Sequence, residues 1–350
     1  MKECSNNRID WIDSAKGICI FLVLMSHRGG IPLIGRLVGA FYMPLFYIVS
    51  GYTQRGVGGG YYRNKIVTIT KKYFVYSFIL LAVWMIACIA RSDFSIMNFL
   101  YKCIGIVYSR NQVYPDGCST YSDLMDMNQV CNGPLWFLTS YATSMGAYAI
   151  LNRLTQRHNR NIVICAFFGL HILCSCLPVL LPWSMDAAFA GALFMLAGKE
   201  LKEKAIIGSK RMSALTIFIV LLIFVIVGEL NGVTNMSIRL WGKWGIASSF
   251  AFILTGICGT ILLLTFCYKI AGLRLNKALS LIGKNTLNIL AFHLLVFKIF
   301  PTANIDNGMT EFYFYNICVV LTTTFIIVGA SLVLKKCVNQ KSIGRIKSKD

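Results

Sequence analysis

The sequence predicts an all-α, polytopic integral membrane protein with about ten transmembrane helices and both termini cytoplasmic. Three observations lead there. Of 350 residues, 56% are hydrophobic and only 14% are charged, whereas soluble globular chains carry about 25% charged residues. Apolar runs recur at the roughly 17–25 residues that a spanning helix needs. Basic residues, finally, alternate in density between successive connecting segments.

The spans are read at 14–30, 37–53, 73–90, 134–151, 161–180, 186–200, 213–229, 246–268, 280–298 and 312–334. The sixth is short and opens on Asp186. The second is interrupted by Gly39, Pro44 and Gly51, breaks that a membrane helix tolerates where neighbours satisfy the freed backbone groups. With a cytoplasmic N-terminus, the inside segments hold 24 Lys and Arg and the outside segments 8, as the positive-inside rule requires. The N-terminal stretch has no short apolar segment ending in a small-residue cleavage site, so the first span is expected to act as a signal anchor. The whole chain, 1–350, reads as one transmembrane domain without repeats.

A net charge of +20 raises the question of nucleic acid. The cations are scattered between apolar spans and form no single face, so no nucleic-acid partner is expected; the membrane accounts for them. Most of the 13 cysteines lie in or beside apolar spans and behave as small hydrophobes. None shows metal spacing with histidine, and no metal is expected. The longest connection, the extracytoplasmic segment 91–131, carries Asp93, Asp116, Asp123 and Asp126 among Tyr101, Tyr108, Tyr114 and Tyr121. Such a loop suits sugar contact, and equally a plain connector with interfacial tyrosines. Cys103, Cys118 and Cys131 share it, and a disulfide such as Cys118–Cys131 would form there if the loop faces an oxidising compartment.

Ionisable groups inside spans are costly, which makes them functional candidates. Asp10, Asp13, Lys16 and His27 sit in or beside the first span. Lys16 and His27 are eleven residues apart, about 20° from eclipsed and about 16 Å along one helix face, and Asp13 lies about 40° off the same line. A histidine titrating near neutrality suits general-base work on a hydroxyl, and cations near the cytoplasmic surface suit phosphate. An interfacial His27 beside Arg28 fits the register as well. Arg63, Lys65, Lys71 and Lys72 precede the third span. Asn132-Gly133-Pro134-Leu135-Trp136-Phe137-Leu138 opens the fourth, and Ile282-Gly283-Lys284-Asn285-Thr286-Leu287 leads to His293 in the ninth. His158 and His171 have weaker cases. No HExxH, GxSxG or phosphate-binding glycine loop is present.

Taken in order, these segments resemble the membrane-bound acyltransferase family 3, which includes O-acetyltransferases of bacterial surface polysaccharides. The resemblance runs through Arg8-Ile9-Asp10-Trp11-Ile12-Asp13-Ser14-Ala15-Lys16-Gly17 with His27. It continues in Phe41-Tyr42-Met43-Pro44-Leu45-Phe46 with Ser50-Gly51, then the basic run before the third span and Gly133-Pro134-Leu135-Trp136-Phe137-Leu138. It ends in Leu196-Ala197-Gly198-Lys199-Glu200-Leu201 and the Ile282 to His293 stretch. It implies acyl transfer, usually of acetyl from acetyl-CoA, to a hydroxyl of a glycan or lipid-linked glycan, in a bacterial cytoplasmic membrane with membrane lipid around the protein. It implies that His27 is the essential histidine, that Lys16 is the basic residue paired with it, and that Arg63, Lys65, Lys71 and Lys72 bind the CoA phosphates. On the chemistry of the pattern, Asp10 or Asp13 would orient Lys16 or another cation, and Trp136, Tyr42, Ser50 and His293 are candidate substrate contacts.

The sequence departs from the family pattern where Lys16 replaces the commoner Arg and Tyr42 replaces a His before Met-Pro. It also lacks an Arg-x-x-Arg pair before the third span. Two other readings stay open: a transporter or flippase of a polar or lipid-linked glycan, and an acyltransferase with a non-sugar acceptor.

Overall fold

A computed structural model describes residues 8–29, 32–56, 58–110, 112–115, 133–301 and 309–347. Among the described residues twelve α-helices run in order: α1 Asp10–His27, α2 Pro32–Tyr52, α3 Gly59–Ala90, α4 Ile96–Tyr108, α5 Trp136–Arg157, α6 Arg160–Ser175, α7 Ala188–Glu203, α8 Ala214–Asn231, α9 Ala247–Lys269, α10 Arg274–Gly283, α11 Thr286–Phe297 and α12 Met309–Lys347. Short 3₁₀ turns at Pro182–Ala187 and Met236–Ile238 complete them, and no strand occurs among the described residues. The all-α expectation is met.

Among the described residues, four helices are long and apolar enough to cross a membrane: α3, α8, α9 and the Met309–Cys337 part of α12. The pair α10 and α11 passes the same test jointly, bent by 73°. The protein is therefore a multi-pass membrane protein, with four or five such helices among the described residues. The spans expected at 14–30, 37–53, 134–151, 161–180 and 186–200 fall on α1, α2, α5, α6 and α7, which do not reach that standard over the described residues. The physical reason shows in the burial. α3 and α8 bury only 22% and 17% of their most apolar stretches, as lipid-facing helices do. α5 and α7 instead bury small and polar residues such as Ser140, Ser144, Asn152, Ala190, Gly191 and Gly198 against neighbours. A helix surrounded by helices does not need to be apolar all round.

Several boundaries differ from expectation. The third span, read at 73–90, is the C-terminal part of the 32-residue α3, about 48 Å long at 1.5 Å per residue. Arg63, Lys65, Lys71 and Lys72 therefore stand on helix, not in a connecting segment. The segment 91–131, read as a loop, contains α4, with Ser95 capping its N-terminus; Cys118 and Cys131 lie outside the described residues. The ninth span, read at 280–298, is broken between α10 and α11. There the Asn285 side chain donates to Leu281 O at 2.8 Å and Thr286 Oγ1 to Gly283 O at 3.2 Å, satisfying carbonyls freed at the corner. The first span ends at His27, and the tenth, read at 312–334, continues to Lys347.

The chain divides into two compact units. One comprises residues 1–32 and 267–350, the other Leu33–Phe266. Each is held by a glycine-mediated helix crossing. In the first, Gly17 of α1 faces the Leu279 carbonyl of α10 and Gly283 faces the Asp13 carbonyl, so close that a Cβ on either would run into the oxygen. In the second, Gly51 of α2 meets the Met195 carbonyl of α7, and Gly198 meets Ile48 O in the same reciprocal way. Small residues at a crossing let backbones approach where no hydrophobic effect drives helices together.

Candidate functional site

The smaller unit contains the stripe read on α1. This helix is continuous from Asp10 to His27, so the stripe exists as one helical face. Near its N-terminus, Lys16 Nζ lies 3.0 Å from Asp13 Oδ1. Asp10 instead takes Lys284 Nζ at 2.8 Å and the Ser280 hydroxyl at 3.1 Å. The choice between the two carboxylates as partner of Lys16 is thus settled by register: Asp13 lies one turn before Lys16, while Asp10 faces α10. The Lys284 amine, followed by the Ser280 hydroxyl, holds the Asp10 carboxyl below the ordinary carboxylate range. Asp13 Oδ2 is buried without a partner.

At the other end of the stripe His27 is the last residue of α1 and is exposed. Its ring centroid lies 5.2 Å from that of His293 on α11, with the planes at 41°. His293 is completely buried. Its Nδ1 is 3.0 Å from Ile289 O and 2.9 Å from Leu290 O, while its Nε2 has no partner. Phe297 meets the His293 ring edge-on at 5.5 Å, and the Arg28 guanidinium sits 5.5 Å from the centre of Phe297 and 5.8 Å from that of Tyr315. Arg28 Nε donates to Asn316 Oδ1 at 3.3 Å and Nη2 to Pro301 O at 2.8 Å. The Asn316 amide nitrogen is buried and unpartnered. His27 and His293, separated by 266 positions in the chain, are thus brought together. Lys16 is not in this group; its ionic partner is Asp13.

The remaining candidates belong to the larger unit. Ser50 Oγ is hydrogen-bonded to Tyr141 OH at 2.5 Å. Trp136 is buried at the start of α5 with its ring edge-on to Phe137, and Tyr42 is half-buried on α2. On α3, Lys65 Nζ stands 4.8 Å over the Tyr61 ring, while Arg63, Lys71 and Lys72 are exposed. At 100° per residue Lys65 and Lys72 share one face, about 20° apart, and Arg63 lies on the opposite side. Register therefore joins two of the four cations rather than all four. Among the weaker candidates, His171 is buried edge-on to Trp241 at 4.9 Å and His158 is exposed at the end of α5. No group of three His, Cys, Asp or Glu side chains among the described residues is arranged to hold a metal.

Two buried clusters of the larger unit were missed by sequence reasoning. Asp186 is completely buried, with Arg110 Nη2 on one carboxylate oxygen and Arg239 Nε at 2.9 Å from the other. The other polar network runs from Lys199 through Asn152 to Tyr62, Gln54 and Tyr148, at 2.7–3.3 Å per link. The first had a signal. Arg110 and Arg239 are cations in segments read as outside, against the prevailing charge asymmetry, and Asp186 opened the weakest span. The second had none, since Gln, Asn and Tyr at these positions form no pattern along the chain.

A model of the protein family described as an acyltransferase domain, acyltransferase family 3, matches residues 9–335. No curated protein and no solved structure matches the chain.

Proposed function

The chain belongs to acyltransferase family 3, and from that premise we propose that it transfers acetyl from acetyl-CoA to a hydroxyl of a cell-envelope or secreted polysaccharide, or of its lipid-linked precursor, in a bacterial cytoplasmic membrane. That it is a membrane acyltransferase follows from the family and the apolar helices; donor, acceptor and residue roles are the proposal. The observation that carries the residue assignment is the His27 ring at the end of α1, 5.2 Å from the ring of a fully buried second histidine.

In this reading a lone pair of His27 takes the proton of the acceptor hydroxyl as its oxygen attacks the thioester carbonyl carbon. The tetrahedral adduct collapses with cleavage of the carbon–sulfur bond. CoA leaves as its thiolate and receives the proton from His27. General-base catalysis of this kind supplies about 10²–10⁴-fold. The cations of α3, with Lys65 and Lys72 on one face, are assigned to the phosphate groups of the donor, where their charge and exposure suit a hydrated polyanion. Lys16 and its partner Asp13 are assigned to polar contacts of the donor nearer the start of α1.

The test is acetyl transfer in membranes containing His27→Ala at the wild-type protein level. Label from acetyl-CoA is expected to reach no acceptor. Full transfer by this variant would defeat the mechanism. O-acetyl signals in the NMR spectrum of surface polysaccharide, present with the gene and lost on its deletion, would identify the acceptor; a protein that only moves glycans would leave acetyl-CoA intact.

A further inference from the structure

His293 is completely buried, and a buried polar atom left without a hydrogen bond is costly, so its bare nitrogen needs an explanation. Its chemistry is fixed from the other side of the ring. Nδ1 faces two backbone carbonyls, Ile289 O and Leu290 O. Carbonyl oxygens only accept, so Nδ1 must carry the proton. In a neutral imidazole Nε2 then has a lone pair and no hydrogen. The ring it meets is that of His27, at 5.2 Å between centroids.

Resting on the role given to His27 above, we propose that His293 is its positioning residue: a neutral imidazole locked by α11 backbone carbonyls into the Nδ1–H tautomer, whose Nε2 accepts the N–H of His27. His27 must donate from one nitrogen and present a lone pair on the other to act as a base. An acceptor-only atom beside it selects which nitrogen does which. At 5.2 Å the rings are within reach of each other through a small rotation or one bridging water, and catalytic hydrogen bonds of this type tighten when substrate binds. The orienting group is conventionally a carboxylate; here a neutral ring does the same in a buried setting without adding a charge. The rigid side is supplied by the corner at Gly283–Asn285, which starts α11 in a new direction and carries His293 towards the end of α1. The other ionisable groups that touch this cluster among the described residues are Arg28, just after α1, and Tyr315 from α12, held to each other through the ring face.

The experiment compares two variants in membranes supplied with acetyl-labelled acetyl-CoA. His293→Asn keeps a group that bonds the carbonyls but has nothing at the Nε2 position. His293→Gln reaches that position with an accepting oxygen. Asn is expected to lower kcat about 10–100-fold, part of what a positioned general base supplies, with KM for acetyl-CoA unchanged, and Gln to restore most of it. In the Asn variant the acid limb of kcat/KM moves to lower pH, because protonated His27 has lost the acceptor of its N–H. Full activity and an unshifted limb in His293→Asn, with His27→Ala inactive, would overturn this proposal while leaving the role of His27 intact. Full activity in His27→Ala would instead sink that role. A readout independent of activity is the ¹⁵N spectrum of histidine-labelled protein. His293 is expected to be protonated at Nδ1 and bare at Nε2, and its Nε2 signal should move in His27→Ala. A protonated Nε2, or a signal indifferent to that substitution, overturns the proposal whatever the acceptor is.

Discussion

Asp186 in the larger unit and His293 in the smaller one are both completely buried polar side chains, and they are treated in opposite ways. Asp186 spends each carboxylate oxygen on an arginine and also accepts the N–H groups of Leu181 and Ala187. The two guanidinium groups in turn donate to the carbonyls of Leu181 and Ser237 and of Cys174, Leu177 and Val179. Five backbone carbonyls and two backbone amides are thereby tied to one carboxylate. The turn so held passes through Trp183 and Ser184 at φ of 55°, a left-handed conformation that non-glycine residues seldom adopt. His293 satisfies one nitrogen and leaves the other bare, in a cluster where the Asn316 amide nitrogen is bare too. A cluster tied by that many bonds fixes backbone, although Arg239 Nε meets Asp186 as an ion pair without a hydrogen bond; the other cluster keeps spare hydrogen-bonding capacity next to an exposed histidine. An unpaired ring alone does not make that argument. His171 also has two bare nitrogens, but it packs edge-on against Trp241 and has no second histidine beside it.

The largest effect should come from removing one member of the paired cluster. Asp186→Ala leaves two buried guanidinium groups without their anion, and breaking a buried pair from one side costs about 3–5 kcal/mol. The protein is expected to accumulate poorly and to melt well below wild type in detergent, while the fraction that folds keeps its acyl-transfer rate per molecule. Normal accumulation with lost activity would break the comparison, since the triad would then be part of the site. The histidine variants described above are expected to show the reverse, with protein level unchanged and rate lost.

The glycine crossings come next in size. Gly198→Ala and Gly283→Ala each push a Cβ into a facing carbonyl, and overpacking of this kind costs about 1–3 kcal/mol, offset by about 1 kcal/mol of helix propensity. Both should lower the melting temperature by similar amounts. Only Gly283→Ala is expected to lower the rate per folded molecule as well, because the carbonyl it displaces belongs to Asp13, the partner of Lys16. Equal losses of rate in both variants would blur the distinction between the units.

The same contrast explains what the sequence revealed. Composition and charge asymmetry were enough for an all-α membrane protein, and the order of motifs for the family, because both are properties of the chain read one residue at a time. The glycines of Lys16-Gly17, Ser50-Gly51, Ala197-Gly198 and Ile282-Gly283 are helix contacts, so those motifs mark packing as much as chemistry. The break at Lys284–Asn285 was hidden within an apolar run, since hydropathy carries no direction. The pairing of His27 with His293 was invisible because residues 266 positions apart leave no periodic trace. The helices α5 and α7, read as spans, carry a weaker apolar signal because they bury small and polar residues such as Ser140, Ser144, Ala190 and Gly191.

The smallest effect expected is at the N-terminal end of the stripe, where Asp10 meets Lys284 at 2.8 Å. Its carboxyl is held below the ordinary value, first by the hydrogen bond from Lys284 and then by that from Ser280. The folded state therefore favours the ionised form. The stabilisation is complete above the unfolded-state pKa of about 4 and disappears as pH falls through the lowered folded-state value. The side chain is 61% exposed, and solvent-exposed pairs contribute about 0–1 kcal/mol. Melting temperatures of wild type and Asp10→Asn should differ slightly and by a constant amount from pH 5 to 8, then converge in acid. A difference that instead grew between pH 6 and 8 would track a histidine rather than this carboxylate, and would mean that the ionic end of the stripe and its histidine end are coupled through α1.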